Sequence, residues 1–382
     1  MRARCPTIVA FVSDAVYPFS IGGRELRYHE LSRRLGSRAE LHIYTMNWWG
    51  GPRIHREGPV TFHAIARLTP LYSNHRRSIT QALLFAFGCL RLLWCRFDVL
   101  EADQIPFFHV LVLRIVTAVR RKRFVVTWHE VWGRASWNHY LGRAGFAAWL
   151  VEWLAMRVPD HIIAASPETA GRLRTIVGER ASISVAPNGI DLDAISNTYP
   201  DTTVTDLVVV GRLMGHKRVD LLLQAMALLH AEEIPVTCRV IGDGPDRDQL
   251  AAATETLGLG HAVEFRHDVR EQKDVYSLVK AARVAVFPSA REGFGIAVLE
   301  AIACGTPVVT TSAPDNLAQS LVARSARGIV CDHSAAALAS AIKGLLGSCG
   351  PDPGQGAGAD KAWLAEYSWD GIANLAAEAL RL

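Results

Sequence analysis

Short β-branched runs alternate with longer stretches of helical spacing through both halves of the chain. In the first half TIVAFVS, ELHIYTM, FDVLEAD, RFVVTWHE and HIIAAS read as strands; in the second DLVVVGR, VTCRVIGDG, AVEFRHD, VAVFPS and PVVTT do. Strand and helix alternation of this kind predicts α/β architecture with parallel, doubly wound sheets. Two series of strands predict two Rossmann-like domains. Turn residues cluster in VAPNGIDLDAISNTYPDTTVT, Val185 to Thr205, which sets a first domain at 1–190 and a second at 204–346. GSCGPDPGQGAGAD, Gly347 to Asp360, reads as a flexible linker ahead of a C-terminal helix, 361–382.

Composition narrows the class. With 382 residues, 50% apolar and 20% charged, the chain is long enough for two or three domains and is not a disordered protein. The longest apolar runs, Gln81 to Cys95 and Phe107 to Val119, are interrupted by Arg91 and Arg114 and fall short of the ~20 residues that span a bilayer. The opening MRARCPTIVAFVSDAVYPF is cut by Ser13 and Asp14 and reads as a first strand, so a cytoplasmic protein is expected. Seven cysteines, odd in number and without a CxxC pair, read as reduced thiols.

Charge is divided unevenly. Residues 1–200 carry 25 lysines and arginines against 15 acids, and residues 201–382 carry 16 against 22. A basic first half predicts an anionic partner there. No aromatic-and-basic recognition motif or zinc-finger spacing supports nucleic acid. An anionic membrane surface fits better, because Arg76 and Arg77 precede SITQALLFAFGCLRLLWCRF, an apolar segment with basic edges that could lie in an interface; an ordinary buried helix with solvated arginines is an equal alternative for it.

Ligands of open α/β sheets sit beyond the carboxyl ends of the strands, so the strand-to-helix loops carry the candidates. PSAREGFGIAVLEAIACGTPVVTT places Glu292 in such a loop and Glu300 two turns into the next helix, about 12 Å away if the path is helical. Gly293 and Gly295 let backbone amides approach a ligand at the helix N-terminus. VVVGRLMGHKRVDLLLQAM puts Arg212 and Lys217 in another such loop, where a guanidinium and an ammonium suit a diphosphate whose charge grows as it departs. Arg218 reads as their solvated neighbour. Two DxD triplets, Asp191/Asp193 and Asp246/Asp248, read as an interdomain turn and a helix start and not as metal loops.

These residues carry a resemblance. GRLMGHKRVDLLLQA, IGDGPDRDQL and the PSAREGFGIAVLEAIACGTPVVTT block resemble the donor domain of the retaining GT-B-fold glycosyltransferases of family four (glycosyl transferases group 1). YPFSIGGRELRYHELSRRLG, VVTWHEVWG and VAPNGIDLD resemble the same family's first domain. The resemblance implies a cleft between the domains and a C-terminal helix returning toward the first. It implies a UDP- or GDP-sugar donor, no cofactor and no required metal. Arg212 and Lys217 would hold the diphosphate and Glu300 the ribose hydroxyls. Glu292, with the amides of Phe294, Gly295 and Ile296, would grip hydroxyls of the transferred hexose. Gly22 and Gly23 would let the first domain's loop close on the phosphates, His129 would lie by the sugar's reacting face, and Val269 on the loop that meets the base. His267 stands where the family shows glycine. The implied reaction is transfer with retention through a short-lived oxocarbenium-like ion pair. The acceptor expected is a lipid-linked saccharide of polysaccharide or glycolipid synthesis; a small soluble metabolite, a nucleotide-sugar 2-epimerase and a silent nucleotide-binding subunit are the alternatives.

Overall fold

The structure, a computed structural model, describes residues 6–20, 22–73, 76–348, 358 and 360–382. The amino-terminal basic head, Cys5, Cys349 and most of the expected linker lie outside the described residues. Two compact units emerge, one of Met1–Gly189 with Trp369–Leu382, the other of Ile190–Ser368.

The first unit is built on β1 (Thr7–Val12), β2 (Ala39–Met46), β3 (Ile54–Glu57), β4 (Val60–Ala66), β5 (Val99–Asp103), β6 (Arg123–Trp128), β7 (His161–Ala164) and β8 (Ile183–Val185). Their order in the sheet is β8-β7-β6-β5-β1-β2-β4-β3. All pairings are parallel except β3 with β4. Alternate residues of one strand serve opposite faces. Val9 and Phe11 of β1 pack with Tyr28 and Leu35 of α1 (Gly23–Leu35) and with Trp369 and Ile372 of the chain's last helix, Trp369–Leu380. Ala10 and Val12 face the other layer, α2 (Ile79–Gly88), α3 (Phe108–Arg120), α4 (Gly133–Leu141) and α5 (Gly145–Ala155), whose Phe85, Leu113, Trp137 and Ala155 share a core with Phe124 and Trp128 of β6. Next, α6 (Pro167–Val177) starts where the sequence says a helix should, with Ser166 Oγ accepting from Thr169 N at 3.0 Å and proline at the first helical position.

The second unit contains β9 (Thr205–Val210), β10 (Cys238–Ile241), β11 (Val263–Arg266), β12 (Ala282–Phe287), β13 (Val308–Thr311) and β14 (Gly328–Cys331). They run parallel in the order β11-β10-β9-β12-β13-β14, the 3-2-1-4-5-6 order of a dinucleotide-type fold. The unit's helices are α7 (Leu192–Asn197), α8 (Val219–Ala231), α9 (Arg247–Thr256), α10 (Gln272–Lys280), α11 (Ile296–Ala303), α12 (Gln319–Arg324), α13 (Ala335–Ser348) and α14 (Lys361–Leu364). α8 and α13 cover one face, with Leu222, Met226, Leu338 and Ile342 in the core; α10, α11 and α12 cover the other.

The structure corrects the reading of the C-terminus. Residues 361–382 are not one helix: α14 and a following 3-10 turn stay with the second unit, and the chain re-enters a helix at Trp369, which belongs to the first. There the last helix lies on α1, with Arg34 Nε 2.7 Å from Asp370 Oδ1 and Arg38 NH2 2.6 Å from Asn374 Oδ1. Cys89, Cys95, Cys238, Cys304 and Cys331 are free thiols. No helix among the described residues is long and apolar enough to cross a membrane.

Candidate active site

In a doubly wound sheet the strand order reverses at one point, and the loops leaving the two strands there part to leave a crevice. In the second unit the reversal falls between β9 and β12. Residues 211–218 follow β9 and residues 288–295 follow β12, so the two loops singled out by their chemistry are the two that flank the switch point. The backbone ties them together, Ala290 N donating to His216 O at 2.8 Å. Lys217 Nζ donates to Glu292 Oε2 across the crevice, both side chains partly open to solvent. Arg212 is exposed at the start of its loop and lines the same hollow as Lys217, Pro288 and Ser289.

Glu292 sits outside the helix, in a two-residue strand whose backbone pairs with Asp315 and Asn316, and its carbonyl accepts from Leu317 N at 2.8 Å. A helical ruler from Glu292 to Glu300 therefore does not apply: α11 begins only at Ile296, and Glu300 is in its second turn. Gly295, the residue before that helix, has φ +93°, and a Cβ there would come 2.6 Å from Ala318 Cβ. Only glycine takes up that backbone without strain, and it leaves the first amides of α11, beginning with Ile296, pointing out of the helix end. Phe294 is buried against Tyr367, ring centroids 5.9 Å apart.

Glu300 is buried, and its Oε1 accepts from Gln272 Nε2 at 2.8 Å and from Tyr276 OH at 3.0 Å, both on α10. Burial pushes its carboxyl up to about 7 against the pull of those two donors. Val269, between β11 and α10, packs partly buried against the core that holds Tyr276 and Leu299. Arg218 is partly exposed, as a solvated neighbour would be, but it is also paired. Its guanidinium bonds both carboxylate oxygens of Asp220 at 3.0 and 3.2 Å and lies 3.1 Å from His333 Nε2. Of the DxD acids, Asp191 caps α7, accepting from Ala194 N at 2.9 Å, and Asp246 and Asp248 sit at the start of α9.

His129, Gly22 and Gly23 belong to the first unit. His129 follows directly on β6; Gln104 accepts from its backbone amide, and its Nε2 is buried with no partner. Burial, and then the charges of Arg27 and Arg24, hold its imidazole well below the usual histidine range, so the ring is neutral. Gly22 has extended backbone, φ −173°, open to any residue, and Gly23 starts α1.

The first unit also holds a cluster that sequence reasoning missed. Its switch point lies between β1 and β5. Asp14, beyond β1, and Asp103, at the end of β5, are wholly buried. Arg24 NH1 reaches Asp103 Oδ2 at 2.5 Å and Asp14 Oδ1 at 3.8 Å. Burial opposes the Arg24 charge, but Asp103, Glu25 and Asp14 together hold its pKa well above the ordinary value. Arg77 NH2 bonds Asp14 Oδ2 at 2.7 Å and Gln81 Nε2 bonds the same oxygen at 3.1 Å. Arg77, expected as a basic edge of a membrane segment, is thus turned inward. Beside the cluster, Glu101 accepts from Tyr28 OH at 3.1 Å and from Thr127, and burial pushes its carboxyl up to about 7. The available signal was an acid at or just beyond the end of each of two apolar strands, in TIVAFVSD and VLEAD.

Two Rossmann-like units, each with charged side chains gathered at its strand-order reversal, define a GT-B fold. Residues 21–194 match the family described as Glycosyltransferase Family 4, and residues 195–348 match Glycosyl transferases group 1. The chain belongs to this family of glycosyltransferases. It is similar to sucrose-phosphate synthase of Thermosynechococcus elongatus (TM-score 0.81, 20% identity, 98% of each chain) and to Anabaena HepE, solved with UDP and glucose (TM-score 0.72, 19% identity, 98% of this chain and 99% of that one). Among curated sequences, D-inositol 3-phosphate glycosyltransferase 2 of Catenulispora acidiphila is 32% identical over 209 residues, 49% of this chain and 48% of that one. The chain thus spans about half the length of the curated relatives it matches.

Proposed function

We propose that this protein is a retaining glycosyltransferase that moves a hexose from a UDP- or GDP-sugar to a hydroxyl of a lipid-linked saccharide presented at an anionic membrane surface. The observation that carries the reading is the Lys217–Glu292 ion pair spanning the switch point of the second sheet, with Arg212 on the same loop. A diphosphate entering that crevice offers Lys217 a second anion, and Glu292 is then free to accept from hydroxyls of the sugar. The anomeric C–O bond breaks with its electron pair going to the diphosphate. Arg212 and Lys217 stabilise that charge, which is larger in the transition state than in the bound donor, so their effect falls on the rate. The acceptor oxygen bonds to the anomeric carbon from the face the diphosphate leaves, and the acceptor's proton passes to a phosphate oxygen. No metal is needed where two cations already face the leaving group.

Glu300 suits the ribose. Both of its donors, Gln272 and Tyr276, fall on Oε1, which fixes the carboxyl and leaves Oε2 to accept from hydroxyls. In the other unit, neutral His129 with its unpaired Nε2 suits a sugar hydroxyl. The relative crystallised with UDP and glucose supports a nucleotide-sugar donor. The test is the melting point of the protein with UDP, GDP, ADP and their hexose conjugates, followed by turnover of the best donor with a lipid-linked acceptor. Stabilisation by UDP or GDP together with sugar transfer at retained anomeric configuration is expected; inverted product, or an epimerised free nucleotide sugar, refutes the reading.

A further inference from the structure

Helices that cover a sheet normally turn a polar outer face to water. Three neighbouring helices of the first unit do not. α3 packs between α2 and α5 on one face of the sheet, and all three send their inner residues into the same core. On the outer side of α2, Ile79, Leu83 and Phe87 recur at every fourth position; they are exposed, Phe87 at 67%. On α3, Ile115 and Val119 repeat the spacing. On α5, Phe146, Leu150 and Leu154 do so again. Trp94, at the end of the 3-10 turn that extends α2, is 81% exposed. Isolated apolar residues on a surface are ordinary, but three adjacent stripes and a tryptophan form a patch of the kind that marks an interaction face.

Charge identifies the occupant. Residues 79–97, 108–122 and 142–158 carry eight arginines and lysines against one acid, Glu152. Glu152 is buried and faces inward, accepting from the amides of Trp132 and Gly133 and from Trp137 Nε1. Two of the eight cations are paired, Arg114 with Asp160 and Lys122 with Asp98. The other six, Arg91, Arg96, Arg120, Arg121, Arg143 and Arg157, have no acidic partner among the described residues. Arg157 lies over the Trp153 ring at 3.8 Å, guanidinium and indole together at the patch edge. A second copy of the chain would set this basic rim against the same basic rim, whereas an anionic bilayer offers apolar depth beneath negative headgroups.

We infer that the α2–α3–α5 face is where the protein lies on an anionic lipid bilayer, Trp94 and Phe87 entering the headgroup boundary and the arginines contacting acidic headgroups. The face serves the proposed reaction by bringing the chain to lipid-borne acceptors, and it rests on that reading for its purpose alone.

The experiment is co-sedimentation of the full chain with vesicles of phosphatidylcholine alone and with about one-third phosphatidylglycerol, at low salt and at ~0.5 M salt. Binding is expected only to the anionic vesicles and only at low salt. It should fall about tenfold or more in Phe87→Ser with Trp94→Ser and in Arg120→Glu with Arg121→Glu, and stay unchanged in Leu228→Ser, an exposed apolar residue of the other unit. Melting shifts with UDP, run on the same variants, show that they are folded and test donor binding separately. No sedimentation with anionic vesicles at low salt overturns the inference, as does equal binding by wild type and the paired variants. So does a dimer that dissociates in Phe87→Ser with Trp94→Ser while vesicles bind none of the proteins; the face then belongs to a second copy.

Discussion

Both units bring opposite charges together where their strand order reverses, and they do it differently. In the first, Asp14 and Asp103 are sealed from solvent and share Arg24, Arg77 and Gln81. In the second, one lysine meets one glutamate, and both remain within reach of water. A buried pair that loses one member leaves an uncompensated charge in a poor solvent; an open pair that loses one member leaves the other hydrated. The first cluster therefore acts on the fold, setting the start of α1 against β1 and β5. The second is weakly committed to itself and can exchange its partner for a ligand's charge.

The largest expected effect breaks the buried side. Asp103→Ala takes away the carboxylate nearest Arg24, leaving Glu25 and the more distant Asp14 to hold its charge, and should lower the unfolding free energy by about 3 kcal/mol, read from denaturant titration. An unchanged denaturation midpoint with abolished turnover would reverse the assignment and make the first cluster chemical. On the open side, Lys217→Ala should leave the midpoint nearly in place and cut turnover by about 10²–10³-fold, the loss expected when one donor to a developing oxyanion is removed. Full turnover in that variant would take Lys217 out of the site.

The same contrast explains what could be read in advance. The strand runs were legible because parallel strands buried on both faces are apolar throughout. The β3–β4 hairpin was not: IHRE is exposed along its whole length, and a strand without an apolar face has no periodic signal. β14, GIVC, is apolar but only four residues long, starts at a glycine and lies at the sheet edge, so it was too short to stand out. In the second unit each chemical residue sits inside a contiguous motif, since a strand, its loop and the next helix follow one another in sequence. Arg24 meets Asp103 across 79 positions and Arg77 meets Asp14 across 63. Such pairings are decided by strand order, which spacing along the chain does not encode. Even in the legible loops the partners were hidden. Lys217 and Glu292 were each legible as polar residues in strand-to-helix loops and not as facing each other, and nothing local marked Tyr276 and Gln272 as the residues that hold Glu300.

A smaller effect probes the geometry that keeps the second site open. Gly295→Ala forces a side chain onto backbone at φ +93° and against Ala318, and should cost about 1–3 kcal/mol. Because the distortion falls at the entrance to α11, affinity for the nucleotide sugar should drop with it in calorimetric titration, more than affinity for the bare nucleotide. An alanine variant that is weaker in stability but binds the nucleotide sugar as before would show that the amides of Phe294, Gly295 and Ile296 hold nothing of the donor.

The smallest effect sharpens the comparison most, because it uses one matched residue from each unit. Glu101 and Glu300 are both buried, both accept two side-chain hydrogen bonds, and both have their carboxyl pushed up to about 7 by burial. For each, the folded chain keeps its proton to higher pH than the unfolded chain, whose carboxyl ionises near the ordinary 4.5. Between those values the native state binds more protons than the unfolded state, so each residue's contribution to stability is fully present below about pH 4.5 and declines as pH rises to about 7. Replacing either by glutamine removes that decline, and stability against pH should flatten by a similar amount in Glu101→Gln and Glu300→Gln. UDP should then separate them. Ribose hydroxyls donating to Glu300 Oε2 favour the ionised form and lower its pKa, so saturating UDP should flatten the profile of the wild type and of Glu101→Gln and leave Glu300→Gln with nothing further to lose. The Oε2 of Glu101 is buried without a partner and out of any ligand's reach, so its share of the slope should persist in UDP. A slope indifferent to UDP in all three proteins would mean that Glu300, like Glu101, serves only the interior of its own unit.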